Sequence, residues 1–157
     1  MIKTKAIILK SADSNEVDRL LTVYSEKLGK INISARGVKK LESKLRCSIE
    51  TITHTQMILV EGKNFLILKD SVILDQFLKI KKNPEKIKIA QKLAELIDEA
   101  IIGEEKDEDI WKLALFTLKS IEEDKISIKS AIADFQRNLI KFLGYNPQDI
   151  KNLNQIY

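Results

Sequence analysis

Five cations in eleven residues, RGVKKLESKLR, are the side chains of this sequence best suited to chemistry, and that chemistry is phosphate binding. Arg36, Lys39, Lys40, Lys44 and Arg46 face a single acid, Glu42, so the stretch carries a net +4. Beyond Gly37, the residues Val38, Leu41 and Leu45 recur at helical spacing, which predicts a helical turn whose cations point away from the apolar stripe. The preceding residues extend the patch. If Ile31–Arg36 is a strand, Ile31, Ile33 and Ala35 share one face, while Lys30, Asn32, Ser34 and Arg36 share the other. The first face suits a core and the second suits a polyanion.

The aromatic supply sets the mode of binding. The first half holds only Tyr24, Phe65 and Phe77, and of these Tyr24 is the candidate for base stacking. Stacking is worth about 1–3 kcal/mol per base, so its scarcity predicts binding led by phosphates, tolerant of sequence and open to single and double strands. Catalysis finds little support. Cys47 and His54 are the only cysteine and histidine and fall in different expected elements, with His54 read as a surface or strand-pairing residue. No GxxxxGK[ST] or GxGxxG pattern occurs. One Cys and one His cannot complete a four-ligand zinc site, and the acids Glu104, Glu105, Asp107, Glu108 and Asp109 suit a helix start better than a calcium loop. The expectation is a protein that is not an enzyme and carries no metal or cofactor.

The elements that must position the patch are legible from glycines and periodicity. Residues 1–81 hold 15 Lys/Arg against 9 Asp/Glu, whereas residues 82–157 hold 12 against 14, so the polyanion belongs to the first half. That half reads as strands at Lys5–Ser11, Val17–Ser25, Ile31–Arg36, Thr51–Val60 and Phe65–Leu74, with turns at Ser11–Asn15 and Glu61–Asn64. Five strands with a helical insert after the third predict an OB-fold barrel over residues 1–80. The second half changes to helical spacing, with helices from Pro84 to Gly103, around Ile110–Ile121, and from an N-cap at Ser127 to Gly144. An α+β chain follows, a barrel and then a helical domain over 81–157. No apolar run is long enough to cross a bilayer, and the expected location is the cytoplasm with no membrane partner.

At the level of particular residues, the first half resembles the N-terminal domain of the RecO family of recombination mediators. The similarity runs through AIILKSADSNEVDRLLTVYSEKLGKINISARGVKK and LILKDSVILDQF. Its specific pieces are the Ile-Leu-Lys strand, Glu16–Thr22, the Lys27–Lys30 turn and the Ala35-Arg36-Gly37 turn followed by bases. The ending Phe142–Tyr145 with Asn146-Pro147 resembles the point just before that family's zinc-binding cysteine cluster. No such cluster follows in this sequence, which therefore reads as a short form that binds no zinc, while docking of the single-strand binding protein's tail, which the resemblance places on the helical domain, stays open. The resemblance implies an OB-fold that binds single- and double-stranded DNA, anneals complementary strands, and works with RecR to load RecA onto strands coated by single-strand binding protein. It places DNA contact on Arg36, Lys39 and Lys40, with Lys44 and Arg46 following.

Two other classes of function fit the same charge pattern: a sequence-tolerant RNA-binding module, separated by sugar preference, and a protein adaptor, which would show no salt-dependent retention on DNA. The apolar stripe Ile128, Ile132, Phe135, Leu139 and Phe142, extended by Trp111, Leu115 and Phe116, predicts a homodimer or RecR contact through the helical half.

Overall fold

Strand β1, Ile2–Asp13, shows why its AIIL run is apolar throughout. Ala6 and Ile8 belong to the barrel interior, while Ile7 lies on the outer face beneath the helices. Leu9, two residues beyond Ile7, keeps to the same outer face, and the register with β2 slips between Ile8 and Lys10. A strand buried on both faces needs a continuous apolar run rather than an alternating one.

The computed structural model describes residues 1–40 and 45–144; Leu41, Lys44 and the expected ending at Tyr145–Pro147 lie outside the described residues. β1 pairs antiparallel with β2, Arg19–Ser25, which pairs with β3, Gly29–Ala35. A 3-10 turn, Cys47–Ile49, leads to β4, His54–Val60, and β5, Leu66–Asp75. β5 runs parallel to β3, and β4 returns to β1, closing a barrel in the order β1-β2-β3-β5-β4. This is the expected OB-fold barrel. Its interior is filled by Leu21, Val23, Ile31, Ile33, Met57 and Leu59, all fully or nearly fully buried.

The helical turn expected at Val38–Leu45 is corrected within the described residues. Gly37–Lys40 form a turn in which the Lys40 amide donates to the Gly37 carbonyl at 3.2 Å, and the Lys39 amide is drawn away to the Val17 carbonyl at 3.0 Å. Val38 still buries, at 1% exposure, but into the barrel core.

Among the described residues four helices follow the barrel, where three were expected. The unforeseen α1, Leu78–Lys82, straddles the expected boundary. Its N-terminal amides of Lys79 and Ile80 donate to the Glu122 carboxylate at 2.8 Å each, so a distant helix supplies the cap. α2, Pro84–Ala100, starts with Asn83 accepting from the Glu85 and Lys86 amides; α3, Glu108–Glu122, starts with Asp107 accepting from Ile110. α4, Ile128–Phe142, has Ser127 at the N-cap position, but the expected side-chain bond is not made there. Helices and barrel share one core, in which Ile7, Tyr24, Ile52 and Phe77 from the barrel half meet Leu93, Ile97 and Trp111. None of the helices is long and apolar enough to cross a membrane, among the described residues.

Candidate nucleic-acid interface

The loop between β1 and β2 builds the platform on which the basic turn rests. Asn15 Oδ1 accepts from the Val17 and Asp18 amides at 2.9 and 2.8 Å, an Asx turn that folds the loop on itself. Asn15 Nδ2 donates to Asp18 Oδ2 at 2.8 Å, and the other oxygen, Asp18 Oδ1, accepts from the Gly37 amide at 2.6 Å. That amide bond, then the Asn15 contact and the nearby Arg36 and Lys40, hold the Asp18 carboxyl below its usual pKa, with partial burial opposing them. Gly37 takes φ +68, a left-handed conformation that glycine adopts without cost. The turn carrying Arg36, Lys39 and Lys40 is therefore latched to the β1–β2 loop.

Beside it opens a cleft of about 560 Å³ lined by Arg19, Val38, Lys39, Arg46, Cys47, Ile49 and Glu50. Arg36, Lys40 and Arg46 are exposed. Asn32 is exposed and accepts from Thr22 Oγ1 at 2.9 Å, and Ser34 is half-buried opposite Leu20. Lys44 lies outside the described residues. A second cleft shares Arg19, Ile49 and Glu50 with the first, and a third shares Ser11, Thr51 and Gln91 with the second and carries the groove on toward Glu95, Asp98 and Glu99 of α2. The groove thus changes sign along its length, and only the charge of its Arg19 and Arg46 end is suited to a polyanion.

Two expected site residues are corrected. Tyr24 is fully buried, its ring edge-on to Trp111 with centroids 5.9 Å apart, so no base can stack on it. β2's outer face at Tyr24 is covered by helices, and this burial also pushes the phenol pKa up. Lys30 lies on that covered side too: its Nζ donates to the Asp98 carbonyl at 2.5 Å and pairs with the Asp98 carboxylate at 3.4 Å. It ties the barrel to α2 instead of facing solvent. Lys39 stays at the cleft but is folded back, with Nζ 3.3 Å from Asp13 Oδ2.

The family model for the N-terminal region of recombination protein O matches residues 1–77, which spans all five strands and ends at the buried Phe77. The chain belongs to the RecO family. It is similar to the DNA repair protein RecO of Roseiflexus sp. (strain RS-1), 34% identical over 146 residues that make up 93% of this chain and 51% of the relative. The DNA repair protein RecO of Clostridium perfringens is 32% identical over 145 residues, 92% of this chain and 59% of that protein. The chain therefore spans little more than half the length of these RecO relatives.

Within the RecO-type barrel, Arg19 is the cleft residue that the sequence reading passed over. A signal for it was present: Asp13 and Arg19 flank the turn cluster Ser14–Asp18, and a hairpin brings such flanking charges opposite each other, as the Asp13–Arg19 pair in the register now shows. Cys47 and His54 are not brought together. Cys47 is exposed at the cleft, while His54 pairs with Ile7 and Asp75 at the start of β4 and is buried against Trp111, so of its two readings strand pairing holds and surface exposure does not. Among the described residues no cluster of His, Cys, Asp and Glu is arranged to hold a metal ion.

Proposed function

We propose that this RecO-family chain binds single- and double-stranded DNA through the basic cleft and the turn beside it, anneals complementary strands, and acts in the cytoplasm with RecR to load RecA onto strands coated by single-strand binding protein. In this reading it is a mediator and not an enzyme, and it uses no cofactor. The observation that carries it is the grouping of Arg19, Lys39 and Arg46 around one cleft, with Arg36 and Lys40 exposed on the adjoining turn. The rings of Tyr24 and Phe77 are buried elsewhere, which leaves phosphate contact as the main source of affinity. An annealer has to neutralise two backbones while leaving base edges free to pair, and an aromatic-poor basic surface does that better than a stacking groove.

The test is a strand-annealing assay run beside DNA and RNA titrations over a range of salt. If four or five phosphates of a single strand are contacted, log affinity falls against log salt with a slope of about −3. Lys40→Glu combined with Arg46→Glu should lower DNA affinity at least tenfold and slow annealing, with thermal unfolding unchanged. A slope near zero would mark the patch as solvated surface and favour the adaptor reading. Tighter binding to RNA than to DNA would favour the RNA-binding reading. The helical half supplies the protein contacts in this proposal, since Phe116 and Ile102 are 66% and 93% exposed. Light scattering across concentrations, alone and with RecR, tests for the homodimer and the RecR complex.

A further inference from the structure

Two cations, one at the start of β2 and one on the turn after β3, meet at one carboxylate beside the cleft. Asp13 Oδ1 lies 3.6 Å from Arg19 Nε, and Asp13 Oδ2 lies 3.3 Å from Lys39 Nζ. Each cation also has a neutral anchor: Arg19 Nη1 donates to Ser11 Oγ at 3.0 Å, and Lys39 Nζ donates to the Asn15 carbonyl at 3.3 Å. The backbone adds a third tether, since the Lys39 amide donates to the Val17 carbonyl at 3.0 Å. Asp13 is the most exposed of the three, its side chain 63% accessible against 41% for Arg19 and 27% for Lys39.

We propose that Arg19 and Lys39 form a phosphate seat that the Asp13 carboxylate fills when no ligand is bound, so that Asp13 is a built-in competitor which an incoming phosphodiester must displace. This inference rests on the reading of the cleft as a nucleic-acid interface and adds its regulation. A carboxylate and a phosphodiester each present two oxygens and one negative charge, so the donors that hold one accept the other. Exposed ion pairs hold weakly, and the exposed Asp13 side chain has room to swing away. The neutral anchors keep Arg19 and Lys39 in place once it leaves. A grip that exchanges with an internal anion lets go of each phosphate readily, which suits a strand that must slide into register during annealing.

The experiment compares the full chain with Asp13→Asn, which keeps the shape and removes the charge, and with Asp134→Asn on α4 as a control for net charge. Fluorescence anisotropy follows an oligothymidylate over a range of salt, and the Arg19 Nε resonance follows inorganic pyrophosphate. Asp13→Asn should tighten both ligands about two- to tenfold, and steepen the oligothymidylate salt slope by about 0.7 for one further phosphate. Adding Arg19→Gln should erase the gain for oligothymidylate, read by anisotropy, and Asp134→Asn should leave both affinities near those of the parent. Weaker pyrophosphate binding in Asp13→Asn would show that the carboxylate positions the cations, and unchanged binding would show that it does not compete; either overturns the proposal. If pyrophosphate responds as expected but oligothymidylate does not bind, the seat stands and the nucleic-acid reading falls. If oligothymidylate binds equally to parent and Asp13→Asn, that reading stands and the competitor falls.

Discussion

His54 sits where a positive charge is unwelcome. Its ring meets Trp111 edge-on at 5.8 Å, it is 6% exposed, and Nε2 is buried without a hydrogen-bond partner. Burial first, then Lys119 and Lys5, push its pKa down to about 4, against the opposing pull of Asp75. The unfolded chain has the ordinary value near 6.5, so between these values the unfolded state binds the extra proton. The contribution is fully present above about pH 6.5 and is lost as pH falls toward 4, an effect on the order of 2–3 kcal/mol. Urea unfolding should therefore show wild type losing more stability than His54→Leu between about pH 7 and 4.5; parallel curves would argue against a neutral, buried imidazole. Asp18 works with the same sign at lower pH. Its depressed pKa means that the latch on Gly37 holds above the ordinary value of 3.8 and weakens as pH falls through the lowered one. Asp18→Ala should speed hydrogen exchange at the Gly37 amide and lower DNA affinity, while the interior amides of β2 stay protected.

Between elements, close approach of backbones decides which residues are tolerated. Gly29 has φ +70, and a Cβ there would lie 2.4 Å from the Glu105 carbonyl oxygen, on the acidic loop that leads into α3. Gly29→Ala is expected to cost about 2 kcal/mol or more from strain and overlap together, read from the midpoint of chemical unfolding. Asn83→Ala removes the acceptor for two amides at the start of α2 and should cost about 1 kcal/mol. The acids Glu104–Asp109 fit this picture: Asp107 caps α3 and Glu108 and Asp109 occupy its first turn. Periodicity found α2, α3 and α4 but not α1, because five residues span too little of a helical repeat, and its cap comes from Glu122 on α3.

On the scale of the molecule, two apolar cores meet through the outer face of the barrel. Trp111 is 4% exposed and joins Tyr24 and His54 to the helices, so it is not part of the free apolar surface expected of α3. Trp111→Ala should cost about 3–5 kcal/mol and lower barrel and helical signals in the same transition. A division into residues 1–80 and 81–157 remains a proposal, and expressing residues 1–80 alone tests it. That fragment would bare Ile7, Leu9, Tyr24, Ile52 and Phe77, so it should be less stable and more prone to aggregate than the whole chain. Independent folding with undiminished stability would show that the shared core is not required.

The strand and helix periods, the polar face of β3, the basic segment from Arg36 to Arg46 and the likeness to the RecO family are all legible along the chain. Each is written in local spacing and residue type, which a linear reading captures. Which polar-facing residues stay free depends on how the helices pack over the barrel. Alternation says that Tyr24 and Lys30 point outward from the barrel, but not that α2 and α3 lie on top of them. Nor does spacing show that Arg19 and Lys39, 20 residues apart, converge on Asp13, because that meeting depends on two loops being latched together by Asp18 and Gly37. A side chain's direction is a property of its own strand, whereas its freedom depends on what packs against that strand from elsewhere in the chain.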